Sequence, residues 1–596
     1  MDPEADVCFE VSWEVCNKVG GIFTVVSSKA SQMIDHYKDN YFLVGPYFPQ
    51  KIYGIFEEQL APESCRTVLE KLKKEGIDVH YGTWLIKGNP HVLLIDFSNF
   101  AKNKNDIKKE LWDNYKIDSL YTEYFDFDEP VIWAYAVGKV IESLKPSFNN
   151  KRIVAQFHEW LSGAGLLYLK SRKVRIGTVF TTHATMLGRT LASEDVNLYD
   201  ILEKINPDEE AKKRGSSIFA KFQMEKQSAL NANVFTTVSE ITSIEAEKLL
   251  SRKPDVILPN GLDMSKFPTF EQASVKHKLF KNRIKHFLMT YFFPYYSFDI
   301  DNTLVYFLAG RYEFHDKGID VFIKALGELN LMLKKEKSNK TIVAFFWVPG
   351  SIKSINPTLL ESKTLLNDIK DEVEDSLEDI KNKIIYLLVA QKEVSKKELF
   401  DEDSLEDFKR KSLRLLRKGV PPLSTHDLYN YDSDQIINSF KKAGLNNLKE
   451  DPVKVIFYPI YLSGADGLLD TSYYESMQGA HLGVFPSYYE PWGYTPLEGG
   501  ALGVSSVTTD LSGFGRFICK ECAPQKYPGI FVLKRYQKKD DRVVKDLTSF
   551  MYKFAKFNAQ ERTENKITAQ KIALMADWKN FIENYIKAHN IAVKNI

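Results

Sequence analysis

The sequence predicts an α/β protein of two doubly wound, Rossmann-like sheets with a helical insertion in the second. Three observations carry this. Short apolar runs recur at 41–47, 91–97, 152–158, 178–185, 234–239 and 255–260, and again at 304–312, 341–349, 454–462, 481–487, 504–510 and 529–535. Each run is continuous rather than alternating, as strands buried on both faces are. Amphipathic stretches long enough for helices separate them, which is the rhythm of βαβ units.

Taken in order, a Val/Trp-containing strand-like start leads to Lys18-Val19-Gly20-Gly21. Glycines there would let backbone N–H groups approach a phosphate, with Lys18 as a nearby point charge, although a plain turn explains the pair equally well. The seam between the sheets is expected near 265–300, after the Pro259-Asn260-Gly261 turn. Residues 351–450 then break the pattern with charged, helix-forming sequence. Leu366, Ile369, Val373, Leu377, Ile380, Ile384 and Leu387 recur at steps of three and four, an apolar stripe on one long helix. A second helix is expected near Ser404, capped by that side chain with Asp407 three residues on. Such a stripe needs a partner surface, so a projecting pair that meets another subunit is preferred to a hairpin packed on its own domain. From about Asp546 the chain is helical again. The division expected is 1–270, 271–545 with the insertion at about 351–450 serving oligomerisation, and 546–596 as regulatory and packing helices.

Composition narrows the function. The chain has 596 residues, 44% hydrophobic and 27% charged, an ordinary globular balance that excludes a mostly disordered protein. Lys+Arg 80 against Asp+Glu 79 leaves a formal charge of +1, so no global field favours nucleic acid or an anionic membrane. No basic-aromatic stripe and no apolar run long enough to span a bilayer are present. The start, MDPEADVCFE, does not read as a secretory signal. Five scattered cysteines fit a reducing compartment, and a cytoplasmic location is expected. Cys519-x-x-Cys522 is a lone pair of thiols with no companion ligands.

Two segments carry chemistry. Arg311 and Lys317 lie in AGRYEFHDKG, with a strand ending at about Tyr312 and a helix beginning after Gly318. Cations beyond the carboxyl end of a parallel strand lie where such sheets bind ligands, and a diphosphate leaving group needs them. In YYEPWGYTPLE, residues 488–498, Glu490 falls in a loop and Glu498 in a helix starting near Pro496. A cleft carboxylate can stabilise an oxocarbenium ion or act as a nucleophile, and a second can accept hydrogen bonds from ribose.

At this point the sequence resembles glycogen synthase of the animal and fungal type, a retaining glycosyltransferase of the two-Rossmann GT-B architecture. The resemblance rests on NKVGG (17–21), NYFLVGPY (40–47), FHEWLSG (157–163), FTTHATMLGR (180–189), VFTTVSEIT (234–242), RKPDVILPNGL (252–262), AGRYEF (309–314), HLGVFPSYYEPWGYTPLE (481–498) and LSGFG (511–515). It implies glucose transfer from UDP-glucose, a co-substrate, to the non-reducing 4-OH of an α-1,4-glucan with retention, without metal or prosthetic group. It implies Glu490 as the catalytic carboxylate, with Trp492, Gly493, Tyr494 and Thr495 around the donor. Arg311 and Lys317 would hold the diphosphate, with Lys18, Gly20 and Gly21 facing it. His183 and Arg189 would touch the donor sugar and phosphate, with His158 and Asn260 in the cleft. Glu498 would bind ribose and Tyr473 would stack on uracil. Retention leaves two routes open, a covalent glucosyl enzyme or collapse on the same face of a short-lived cation.

The resemblance also implies a glucose 6-phosphate pocket. Arg562 and Lys566 fill two positions of the family's arginine-rich helix, while Ala559, Gln560, Thr568 and Lys571 stand at others, and His277, Lys281 and His481 match sugar-phosphate positions. A reduced activator site is expected. The serine- and proline-rich tails of such enzymes are missing, so control by tail phosphorylation is not expected. A homotetramer and a glycogenin-like primer protein are among the partners implied. Competing readings are a GT-B enzyme using ADP-glucose or another acceptor, a phosphorylase-like enzyme, disfavoured for lack of a lysine in a cofactor motif, and a silent glucan-binding scaffold.

Overall fold

The computed structural model describes residues 1–522 and 525–596. Its first sheet has nine strands: β1 (Val7–Val11), β2 (Tyr41–Pro46), β3 (Phe56–Glu58), β4 (Asp78–Trp84), β5 (His91–Asp96), β6 (Ile153–His158), β7 (Gly177–Thr182), β8 (Val234–Thr237) and β9 (Val256–Ile257). They lie in the order β3-β4-β5-β2-β1-β6-β7-β8-β9. Pairings from β5 to β9 are parallel, whereas β4 runs antiparallel to β5 and β3 to β4.

The second sheet contains β10 (Thr303–Ala309) and β11 (Thr341–Trp347). A small antiparallel ribbon of β12 (Ile352–Ile355) and β13 (His426–Leu428) frames the insertion. The sheet resumes with β14 (Val453–Tyr458), β15 (Leu482–Val484), β16 (Ser505–Thr509) and β17 (Ile530–Leu533). Its order is β14-β11-β10-β15-β16-β17, parallel throughout. Every apolar run noted in the sequence overlaps one of these strands, with β7, β10 and β14 starting one residue earlier than the run. The strand expected to reach Tyr312 stops at Ala309, because the chain turns out of the sheet at Gly310.

Both sheets are covered on both faces by apolar cores. Six helices matter below: α1 (Gly21–Tyr37), α2 (Phe270–Phe292), α3 (Ile319–Lys335), α4 (Tyr494–Ala501), α5 (Ala559–Met575) and α6 (Trp578–Lys594). Helix α2 occupies the expected seam, starts at a Thr269/Gln272 capping box and packs beneath the second sheet. The terminal helices begin at Asp540 rather than near 546, and they divide between the lobes. The helix Asp540–Lys556 packs on α3, α5 packs on α4, and α6 returns to lie against β7, β8 and α1. The Leu262 N–H donates to the Ala576 carbonyl and the Trp578 N–H to the Leu262 carbonyl, so the two lobe crossings run side by side.

The insertion differs from the expectation in two respects. The single long helix is two, Pro357–Asp375 and Leu377–Val389, separated at Ser376. The helix Glu402–Leu415 is capped by Asp401, whose carboxylate accepts the Ser404 N–H at 2.7 Å, so Ser404 lies inside the first turn instead of capping it. Of the stripe, Leu387 is buried and Leu377 exposed, and Ile385, Tyr386, Leu388, Val389, Leu413 and Leu416 are exposed beside it.

Topology fixes where a ligand sits. In the first sheet the chain goes from β1 out to β5 and returns across β1 as β6; in the second it goes from β10 out to β14 and returns as β15. At such reversals adjacent connections diverge and leave a crevice at the carboxyl ends of the strands. Those ends carry residues 12–14 and 158–159 in one lobe, and 310–317 and 485–490 in the other.

Candidate active site

A cleft of about 710 Å³ opens between these two switch points. Its second-lobe wall is built on the connection after β15. Glu490 is fixed through its backbone, its carbonyl accepting the Gly513 N–H at 3.2 Å, while the Trp492 carbonyl accepts the Phe514 N–H at 2.7 Å. A Cβ at Gly513 would stand 2.3 Å from the Pro491 carbonyl oxygen, so the LSGFG segment can hold the loop this closely only with glycine there. Gly493, at φ +103°, turns the chain into α4. Arg311 and Lys317 reach the same wall from the β10 loop. The Lys317 Nζ donates to the Glu490 Oε2 at 2.7 Å, and Arg311 meets Glu313 at 2.8 Å. Trp492 is buried against Phe514, Phe517 and Phe581 with no partner for its indole N–H.

The first-lobe wall carries His158, His183, Arg189 and Asn260, all of which line the cleft. The Asn260 Oδ1 is buried and unpartnered, an acceptor left for a ligand. Glu159 stands at φ +64°, a conformation costly for a side-chain-bearing residue, and its carboxylate accepts the N–H groups of His183 and Ala184 at 2.7 and 3.2 Å. Burial raises the Glu159 carboxyl above its usual range against the opposing pull of Arg189. Glu245, pushed to about 7 by burial, bonds Thr185 in this lobe and the Tyr489 hydroxyl, beside Glu490, in the other. One buried carboxyl thus ties the two walls together.

Several expected residues are placed otherwise. Gly20 and Gly21 line the cleft, but the Gly20 and Phe23 N–H groups donate to the Glu14 carboxylate at 2.7 and 2.8 Å. The amino end of α1, which the glycines were expected to offer to a phosphate, is filled by the chain's own anion. Lys18 is exposed near the Phe23 ring and does not line the cleft. Thr495 borders a smaller side pocket of about 170 Å³ with Arg311, Lys317 and Glu490. Tyr473 and Glu498 meet behind it, the Tyr474 hydroxyl donating to Glu498 at 2.8 Å and that of Tyr473 at 3.5 Å. Burial raises Glu498 to about 7. His315, Asp320 and Asp540 form a group at ligand spacing that the sequence reading did not see, with His315 bonded to Asp320 at 3.0 Å and Asp540 to Arg535 at 3.3 Å.

A second cluster lies apart from the cleft. His277 on α2, His481 before β15, and Arg562 and Lys566 on α5 converge with Lys281, the two imidazoles 5.4 Å apart. The His277 Nδ1 is bonded to the Gln478 carbonyl at 2.6 Å and His481 is held by Val305. Burial first, then Lys281 and Arg562, depress Lys566 to about 7. Burial first, then Lys566 with Lys281 and Arg562, push His277 to about 3. Among the described residues no carboxylate is paired with Lys281, Arg562 or Lys566, and Asp301, whose charge is felt at Lys281, is bonded to Lys285 at 2.5 Å. The cluster thus holds mutually repelling cations together with no acid to oppose them.

Comparison with known proteins decides the family. The family model described as glycogen synthase matches residues 10–596. The chain belongs to the glycogen synthase family. The liver glycogen [starch] synthase of Homo sapiens is 37% identical over 586 residues, covering 98% of this chain and 83% of that protein. The glycogen [starch] synthase of Neurospora crassa is 36% identical over 592 residues, covering 98% and 83%. Among solved structures, the catalytic domain of starch synthase IV from Arabidopsis thaliana, bound to ADP and acarbose, superposes with a TM-score of 0.54 at 12% identity over 99% of this chain and 100% of that one. The architecture is GT-B, and the enzyme is a glycosyltransferase.

Within this glycogen synthase family fold, the residues that sequence reasoning missed are mostly acids: Glu10, Glu14, Glu159 and Glu245. A signal for Glu10 existed, since a carboxylate in the middle of an otherwise apolar strand is rare without a partner. Nothing in the sequence marks which cation supplies that partner.

Proposed function

We propose that this member of the glycogen synthase family transfers glucose from UDP-glucose to the non-reducing end of an α-1,4-glucan with retention of configuration. The observation that carries the reading is the meeting of Glu490, Lys317 and Arg311 on one wall of the cleft, opposite His158, His183 and Arg189. Arg311 and Lys317 supply the positive charge that a departing diphosphate requires, so the reading needs no metal. As the diphosphate takes Lys317, the Glu490 carboxylate is freed toward the anomeric carbon. It then acts as nucleophile or as the counter-ion of a cation that collapses on the same face. The leaving phosphate oxygen is the base for the acceptor hydroxyl. Closure of the lobes expels water and strengthens each of these interactions. Tyr473 and Glu498, behind the side pocket, take the nucleoside. Lys18, in the loop before Gly20, faces the diphosphate once a ligand displaces Glu14.

The cationic cluster on α5 supports the finer reading that glucose 6-phosphate activates the enzyme. The exposed apolar residues of the insertion support self-association, read as a homotetramer, and a glycogenin-like primer is the partner that would start a chain. Among the described residues no helix is long and apolar enough to cross a membrane, and the five unpaired thiols suit the cytoplasm. The test is transfer of labelled glucose to glycogen from UDP-glucose and from ADP-glucose, each with and without glucose 6-phosphate. Preference for ADP-glucose would overturn the donor assignment, and no transfer from either would favour a scaffold.

A further inference from the structure

Behind the cleft wall, a chain of buried polar groups runs from α1 to the ligand side. The Lys29 Nζ donates to the Glu10 Oε1 at 2.5 Å, and the Tyr41 hydroxyl donates to the Glu10 Oε2. The same Oε1 lies 2.8 Å from the His158 Nε2, and the His158 Nδ1 lies 2.9 Å from the His183 Nε2. Glu10, Lys29 and His158 are at most 1% exposed, and His183 is 6% exposed and lines the cleft. The ammonium also sits 3.8 Å from the centre of the Tyr585 ring on α6, which leaves it no route to solvent.

Proton counting along this chain has one consistent solution. Glu10 is ionised: burial opposes its charge, but Lys29 and His158 together hold its carboxyl well below the usual range. A carboxylate only accepts, so the His158 Nε2 carries a proton. A second proton on His158 would add a net charge beside an ion pair that already balances, and burial depresses its pKa. His158 is therefore neutral, and its Nδ1 is a bare acceptor. The proton in the bond between the imidazoles must then belong to the His183 Nε2. Burial, His158, Lys29 and Arg189 all disfavour a second charge on His183 as well. Its Nδ1 is left with a lone pair, and it has no hydrogen-bond partner among the described residues.

We propose that Glu10 is a positioning residue that acts through His158 to fix His183 as a hydrogen-bond acceptor, at Nδ1, toward the ligand in the cleft. The group His183 recognises is then a hydroxyl that donates, as a sugar hydroxyl does, and not a phosphate oxygen, which only accepts. Lys29 serves by keeping Glu10 charged without surrendering a proton to His158. An imidazole free to choose its tautomer would bind either group. One locked by a buried carboxylate discriminates between them, because the wrong partner leaves two lone pairs facing each other.

The proposal deepens the reading of the cleft as a glucosyl-donor site, and two measurements keep the two separable. The first needs no activity. In the full chain labelled with nitrogen-15 at histidine, the imidazole signals lost on His183→Asn identify His183. A protonated Nε2 and a bare Nδ1 are expected, and a protonated Nδ1 in the wild type overturns the proposal. The second uses UDP-glucose analogues in which each hydroxyl in turn is replaced by fluorine, which cannot donate. In the wild type, the analogue altered at the hydroxyl facing His183 should lose about tenfold or more in kcat/KM relative to UDP-glucose. In Glu10→Gln that penalty should shrink to about threefold or less, as the lock is released. Equal penalties in both enzymes overturn the positioning role. Absence of transfer from UDP-glucose by the wild type would instead sink the functional reading and leave the tautomer result standing.

Discussion

The molecule holds two clusters of positive charge, and they differ in what opposes them. On the cleft's second-lobe wall Lys317 has Glu490 at 2.7 Å and Arg311 has Glu313 at 2.8 Å, and behind the first-lobe wall the buried Lys29 has Glu10 at 2.5 Å. In the cluster formed by α2 and α5, Lys281, Arg562 and Lys566 face one another and two imidazoles. The balanced cluster is built for charge that separates during a reaction, since a cation already placed beside a carboxylate can pass to a leaving group without reorganisation. The unbalanced one carries repulsion that the phosphate of the proposed activator would relieve. Paired and unpaired lysines should therefore answer the same perturbation in opposite directions.

The largest effect expected is at Glu490. Glu490→Gln should lower kcat by at least about 1000-fold while leaving donor binding within a few-fold, measured by glucose transfer and by calorimetric titration with UDP-glucose. Next is Lys317→Ala, which removes the cation for the leaving group, at about 100- to 1000-fold in kcat. Undiminished transfer in either variant would break the balanced-cluster account. Stability sharpens the contrast. Lys29→Met strands a buried carboxylate and should cost about 3–5 kcal/mol by denaturant titration. Lys566→Met removes an unpaired, half-buried cation and should instead raise the ligand-free melting temperature by about 1–3 °C.

The sign follows from linkage. Lys566 titrates near 7 in the folded protein against its ordinary 10.5, so the unfolded chain holds that proton more tightly. The penalty is complete below pH 7 and disappears as the pH approaches 10.5, so the gain from Lys566→Met should be greatest at low pH. The smallest effect expected is on the affinity for hexose phosphate. It should weaken as the pH rises through 7, by up to about tenfold per unit, because a neutral Lys566 no longer attracts the phosphate. An affinity flat between pH 6.5 and 8.5 would remove Lys566 from the anion site, on the scale set by a one-proton titration.

Much of this was readable before the structure. The central parallel strands announce themselves because both their faces are buried and their sequences are continuously apolar. β4 does not, since its sequence DVHYGTW is only half-buried and reads as polar loop. The β12–β13 ribbon is invisible for the same reason, with Lys353 and Ser354 exposed. The loops bearing Arg311, Lys317 and Glu490 were legible because charge follows an apolar run there, and His277 to Lys566 only through resemblance, as they are distant in sequence. Glu14 over the glycines and the chain from Lys29 to His183 were not legible. Each depends on which side chains the topology brings within 3 Å of one another, and spacing along the chain says nothing about that.

The most direct test of the central claim is the rate of labelled glucose transfer from UDP-glucose to glycogen in the wild type, Glu490→Gln and Lys317→Ala side by side. The account predicts robust retaining transfer in the wild type and near-complete loss in both variants with donor still bound. Transfer that survives in Glu490→Gln would contradict it.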